Sequence, residues 1–251
     1  RGASKVVINR EDALTKPLLS TQISLSSFGL NQPDLGDFGI LEGLEEGYLS
    51  YGIERLMPVA DVSLKGTHNL ANGLAALALG YALDLPMVPM LECLKRFKGL
   101  PHRCENIAEI DAVLYIDDSK GTNVGATVAA LNGFGHIEGK NIILLAGGVG
   151  KDQDFSLLQK PVNQFVAKAF LFGEDAGQIN DALQNVCAVE LVDTLPEAVE
   201  RAHSVARPGD IVLLSPACAS FDMFSGFEQR GQCFQQAVAG LPHDTGGQLC
   251  N

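Results

Sequence analysis

The 251 residues include 18 Lys plus Arg against 30 Asp plus Glu, a formal charge of −12, and 46% of them are hydrophobic. This is a globular composition with enough apolar residues for a core, which excludes an extended disordered chain. The acid excess excludes nucleic-acid binding by phosphate neutralisation and a basic membrane-surface helix, although a local Lys and Arg cluster can still hold a small anion.

The first hundred residues read as irregular and β-rich. VVIN (6–9), ISLSSF (23–28), YLSYGI (48–53) and the segment around MPVADVSL (57–64) have strand-like composition or alternation, separated by Gly and Asp. An Ala-rich helix is expected over His68 to Ala82 and a short amphipathic one over Pro89 to Phe97, with Met90, Leu91, Leu94 and Phe97 on its apolar side. The most apolar stretch, 70–91, is broken by Asn72, Asp84, Pro86 and Pro89, so it reads as buried helix and not as a membrane span.

After GLPHR (99–103) the pattern turns regular. Strands at 112–117, 141–147, 169–174, 189–193 and 210–216 alternate with helices at 123–131, after Asp154, at 176–185, at 195–206 and near 224–239. Short, nearly continuous apolar strands alternating with helices predict a doubly wound α/β sheet covered on both faces. Residues 1–99 and 100–251 are accordingly expected to form separate domains. The six cysteines (93, 104, 187, 218, 233 and 250) show no C-x-x-C pair or zinc-site spacing and read as free thiols of a cytoplasmic protein. The start, RGASKVVINRED, has no signal-peptide core.

Ligands of such sheets bind outside the carboxyl ends of the strands. Three loops there draw on Gly, Ser, Thr, Asp and Lys: Asp117 to Asn123, Gly147 to Asp152 and Ser215 to Asp222. Asp118, Ser119, Thr122 and Asn123 can be plain helix caps. Lys120 and Lys151 cannot, and two lysines beside helix N-termini make a cleft for carboxylate or phosphate. Leu145 and Asp152 break the Walker phosphate-loop pattern around Gly150-Lys151, and no G-x-G-x-x-G fingerprint is present. Asn69 suits an N-cap. Asn72, inside an apolar helix, needs a partner or a ligand, and an adenine ring would satisfy both amides. His102-Arg103 falls at the expected domain junction, where clefts are common.

Five blocks in order, HNLANGLAA (68–76), GLPHRCE (99–105), DDSKGTN (117–123), GGVGKD (147–152) and SPACASFDMF (215–224), resemble the Mur ligases, most closely their D-glutamate-adding branch. The resemblance implies an ATP-dependent, acyl-phosphate-forming amide ligase of peptidoglycan synthesis, with a P-loop ATPase domain ahead of a Rossmann-like domain. Its substrates would be ATP, D-glutamate and UDP-N-acetylmuramoyl-L-alanine. Residue by residue, it implies that Asn69 and Asn72 contact adenine, Arg103 and Lys120 face the phosphates, and Asp118 holds the ribose. It also implies that Thr122, Lys151, Ser220 and the loop at Phe221 receive the D-glutamate carboxylates, that Phe227 closes that pocket, and that Lys120 and Lys151 are the catalytic cations. Phe221 and Val149 depart from the family pattern, which has a smaller aliphatic and a more polar residue there.

The G-T-N-G-K-[ST] phosphate loop and the Mg²⁺ ligands of the central domain are not in this sequence, so Mg²⁺ ligation is expected mostly outside it, with no metal site in the chain. The sequence is expected to start partway through the central domain and to be unable to ligate alone. A monomer without nucleic-acid or membrane partners is expected. The alternatives are another Mur-type or folylpolyglutamate-type ligase, a non-catalytic binding module, and a nucleotide-binding oxidoreductase, the last disfavoured by the missing glycine fingerprint.

Overall fold

The computed structural model describes residues 5–16, 24–44, 46–64, 66–135 and 139–242. Two compact units divide at Lys98/Gly99.

The first unit is a five-stranded sheet in the order β1 (Lys5–Asn9), β2 (Ser24–Phe28), β3 (Phe38–Leu41), β4 (Tyr48–Tyr51), β5 (Glu54–Pro58). The first three strands are parallel and the last three an antiparallel meander. Helix α1 (Thr67–Ala82) packs Leu70, Leu74, Leu77 and Ala78 with Phe38, Ile40, Leu49 and Met57 of the sheet. Helix α2 (Met87–Arg96) adds Met90, Leu91 and Leu94 from its apolar side but buries none of its residues fully. A Cβ on Gly80 would lie 2.2 Å from the Met90 sulfur, so the glycine permits the α1–α2 approach. Strand β3, with the polar turn before it, was not expected from sequence, and β5 begins earlier than the expected 57–64 segment.

The second unit is a six-stranded sheet in the order β10 (Ala188–Leu191), β9 (Val166–Phe172), β8 (Ile142–Gly147), β11 (Ile211–Leu214), β7 (Val113–Asp117), β6 (Glu105–Ile110). All neighbours are parallel except the β6–β7 pair, an antiparallel edge that sequence reading passed over. The pleat splits the strands between two cores. Ile142, Leu144, Leu171 and Leu213 face α3 (Val124–Phe134), α4 (Gln159–Phe165) and α5 (Ala176–Leu183). Ile143, Leu145, Phe170 and Leu214 face α6 (Leu195–Val205) and α7 (Phe227–Ala239). The sheet is therefore doubly wound, with helices on both faces. The loop beyond Asp154 enters α4 through a 3₁₀ turn at Phe155–Leu158.

Candidate active site

Strand β11 feeds α7 on one face, while its neighbours β7 and β8 feed α3 and α4 on the other. Both gaps beside β11 are thus switch points, where chains part to opposite faces and leave a crevice. The three polar loops leave the sheet there, side by side.

Arg230 of α7 ties these loops together. It is wholly buried, and its Nε donates to Ser119 Oγ at 3.0 Å and its Nη2 to the Ser119 carbonyl at 2.8 Å. Its Nη1 donates to the Cys218 carbonyl at 3.1 Å and reaches that of Gly147 at 3.4 Å. No carboxylate pairs with it among the described residues. Burial pulls its pKa down to about 10, against the pull of Asp117, Asp118 and Asp222 in the other direction, so it stays charged at neutral pH.

A second cluster anchors the end of β7. Asp117, fully buried, bonds His102 Nδ1 at 2.7 Å and accepts from the Ser119 N–H at 2.9 Å and Gln235 Nε2 at 3.1 Å. Glu105 accepts from the His102 N–H at 2.9 Å. A Cβ on Gly231 would lie 2.1 Å from His102 Nδ1, so α7 approaches this close because position 231 carries none. Asp118 is buried too. It accepts from Ser215 Oγ at 2.8 Å and from the Cys104 N–H at 3.3 Å. Burial raises its pKa to about 6, with those hydrogen bonds acting the other way. The Cys104 thiol is pushed upward by burial and by Asp118.

Above this scaffold stand the cations. The Lys120 ammonium lies 3.9 Å from the Phe227 ring centroid, and His102 meets the same ring edge-on at 6.1 Å. Lys151 is exposed, and neither lysine forms an ion pair among the described residues. Lys151 and Asp152 are both left-handed, with φ of 53° and 57°. Their loop is pinned to Ala219 by paired Val149 backbone bonds of 2.9 Å each, and to Asp175 by the Gly150 N–H at 2.6 Å. Gly147 and Gly148 take φ of 139° and 122°, and a Cβ on either would strike the Phe172 or Ala219 carbonyl. Ser220 is buried, Thr122 half-buried, Phe221 exposed and Arg103 exposed.

The structure thus brings Arg103, Asp118, Lys120, Thr122, Lys151, Ser220, Phe221 and Phe227 onto one unit, mostly on the loops at one sheet edge. Asn69 and Asn72 lie on α1 of the other unit. The capping role foreseen for Asn69 is filled instead by Gly66, and Asn69 sits inside the first turn. Asn72 is exposed, so burial sets no demand for a partner. Of the suspected caps after β7, Asn123 does cap α3, accepting from the Ala126 N–H at 2.9 Å. Asp118 and Ser119 bond elsewhere. Lys120 meets Phe227, although the resemblance had set them on different ligands. Sequence reasoning missed Arg230 and Gln153. Arg230 had a signal, since positions 230, 234 and 238 make one helical stripe with Phe234 and Val238. Gln153 had none.

Residues 102–218 match the family described as Mur ligase, glutamate ligase domain. Similarity extends beyond that domain. The chain is 51% identical to the UDP-N-acetylmuramoylalanine--D-glutamate ligase of Pseudomonas aeruginosa over 96% of its own length and 54% of that protein's. With the enzyme of the same description from Acinetobacter baylyi the figures are 50%, 96% and 55%. The chain spans about half the length of the curated relatives it matches, over their C-terminal half. Solved structures share the fold at low identity. A pseudomurein peptide ligase type C from Methanothermus fervidus matches with TM-score 0.66 and 14% identity, over 94% of this chain and 56% of that one. MurF ligase from Thermotoga maritima, in complex with ADP, matches at 0.62 and 15%, over 94% and 54%.

Proposed function

We propose that this chain is the C-terminal portion of an ATP-dependent ligase that joins D-glutamate to UDP-N-acetylmuramoyl-L-alanine in the cytoplasmic part of peptidoglycan synthesis, and so serves cell-wall biogenesis, shape and division. Residues 1–99 would complete an ATP-binding domain and residues 100–251 would form the amino-acid-binding domain. The observation that carries the reading is the roughly half identity to D-glutamate ligases, joined to two lysines, without ion pairs among the described residues, on the loops that flank β11 at the switch-point crevices. Among the described residues no helix is long and apolar enough to cross a membrane, and the five described cysteines are free thiols. Cys250 lies outside the described residues.

In this reading ATP phosphorylates the acceptor carboxylate. The D-glutamate amine attacks the acyl phosphate, and the tetrahedral intermediate expels phosphate. The chain's own residues bind and orient. Lys151, Thr122 and Ser220, with the loop at Phe221, hold the two carboxylates of the amino acid, and the rigid loops keep them in place without reorganisation. Lys120 and Arg103 offset phosphate charge, and Lys120 is held over the Phe227 ring. Asn69 and Asn72 would serve the adenine and Asp118 the ribose. The exposed ring of Phe221 leaves its backbone as the group that contacts substrate.

Mg²⁺ would screen the phosphates of such a reaction. Among the described residues, the cluster of possible metal ligands is His102, Glu105 and Asp117. Its imidazole bonds Asp117 directly, and Glu105 and Asp117 accept protein N–H groups. Mg²⁺ prefers oxygen ligands and retained waters, so this cluster does not fit it, and no step is routed through it.

The test is phosphate release with ATP, Mg²⁺, UDP-N-acetylmuramoyl-L-alanine and a panel of amino acids, using this chain and a version extended upstream to the length of its relatives. Turnover by the longer protein with D-glutamate alone, and silence of the shorter, is expected. Preference for another amino acid, or ligation by this chain by itself, would overturn the proposal.

A further inference from the structure

Gln153 follows the left-handed pair Lys151-Asp152 and faces inward from the loop. Its Nε2 donates to the Gly150 carbonyl at 2.7 Å and to the Ala217 carbonyl at 3.1 Å. Its Oε1 accepts from the Val124 N–H at 2.8 Å. Its own backbone N–H closes on Gly150 as well, at 3.2 Å. One side-chain amide therefore joins the loops after β7, β8 and β11.

The bonds fall where the backbone needs holding. Gly150 precedes the two left-handed residues, and Ala217 is itself left-handed with φ of 59°. Non-glycine residues in that region carry strain and persist where their surroundings over-determine them. The bond to Val124 also removes a free N–H from the start of α3, and Asn123 removes another at Ala126. Two of the N–H groups at the N-terminus of α3 are thereby taken by side chains of the protein, which puts more of the attraction for a carboxylate on Lys151.

We infer that Gln153 is a positioning residue for the amino-acid substrate: through its three bonds it fixes Lys151 relative to Thr122 and Ser220 and so sets affinity for the incoming dicarboxylate. The inference rests on the proposed ligase reading. Its structural half, the clamp, stands apart from that reading and is tested apart from it.

Gln153→Met keeps the length and removes all three side-chain bonds. In the upstream-extended enzyme the KM for D-glutamate is expected to rise at least about tenfold while the KM for ATP stays within about twofold, an effect of about 1.4 kcal/mol confined to one substrate. A KM for D-glutamate within twofold of wild type, or equal rises for both substrates, overturns the inference. In this chain the Val124 amide should exchange with solvent at least about tenfold faster in the variant, with the amides of β8 and β9 unchanged. Unchanged exchange at Val124, or faster exchange throughout, overturns the clamp. If the wild-type extended enzyme shows no D-glutamate-dependent turnover, the functional reading falls, and the exchange measurement decides the clamp by itself.

Discussion

The two units solve the problem of polar residues in opposite ways. In the first, the buried polar side chains among the described residues are Ser27 and Ser50, and ion pairs such as Lys5–Asp84 and Lys95–Glu92 lie at the surface. In the second, His102, Asp117, Asp118, Ser119, Thr127, Ser215, Ser220 and Arg230 are all buried, nearly all at the carboxyl edge of the sheet. Burial strengthens each hydrogen bond and makes each unmet one expensive. The difference teaches that the second unit buries a polar network that ties three loops together, whereas the charges of the first unit lie at its surface or, like Arg10, half-buried against neighbouring carbonyls.

The sharpest way to break this contrast is Arg230→Ala. It leaves a cavity and strips donors from the Ser119 and Cys218 carbonyls, for an expected loss of about 3–5 kcal/mol. The chain has no tryptophan, so circular dichroism in a urea series is the measurement. A loss below about 1 kcal/mol would mean the guanidinium is dispensable.

Asp118 gives the next effect, and it has a sign. Its folded pKa of about 6 lies above its ordinary value of 3.8, so the folded chain binds this proton more tightly than the unfolded one. Its contribution to stability is greatest below pH 4, falls as pH climbs from about 4 to 6, and is constant above. The change is on the order of 3 kcal/mol. Asp118→Asn should lack that slope, so the difference in stability between the two proteins should carry it across pH 3.5 to 7. Parallel curves would show that the carboxyl is not desolvated.

Gly231→Ala sets two effects against each other. Helix propensity favours alanine by about 1 kcal/mol, but the new Cβ meets His102 Nδ1 at 2.1 Å and an Asp117 carboxylate oxygen at 2.8 Å. The clash is expected to win, for a net loss of about 1–2 kcal/mol. A stabilised variant would mean that α7 yields. The smallest effect belongs to the first unit, where Lys5→Ala breaks an exposed pair with Asp84 and should change stability by under about 0.5 kcal/mol.

These contrasts also explain what the sequence disclosed. Strands β7, β8, β9 and β11 are covered on both faces, so they appear as apolar runs, and the alternation with helices follows. Strand β6 reads ENIAEI, with polar Glu105, Asn106 and Glu109 on an antiparallel edge, and it does not stand out. Strand β3 hides because it is four residues long and contains Gly39, where a Cβ would lie 2.4 Å from the Asn31 carbonyl. The loops of the site were legible from Lys120, Lys151 and their glycines. The ties that hold them were not, because Arg230 is 111 positions from Ser119 and Gln153 is 64 from Ala217. Pairing at such distance leaves no local pattern, and the helical stripe through Arg230 is the nearest thing to one.

In the proposed function these loops receive an amino-acid carboxylate, and Lys151 is its most direct partner. The measurement is the KM for D-glutamate in the upstream-extended enzyme with Lys151→Ala, beside the KM for ATP in the same variant. Loss of a charge-assisted contact predicts a rise of about ten- to a hundredfold for D-glutamate with ATP little changed. A D-glutamate KM within twofold of wild type would mean that Lys151 does not hold the carboxylate.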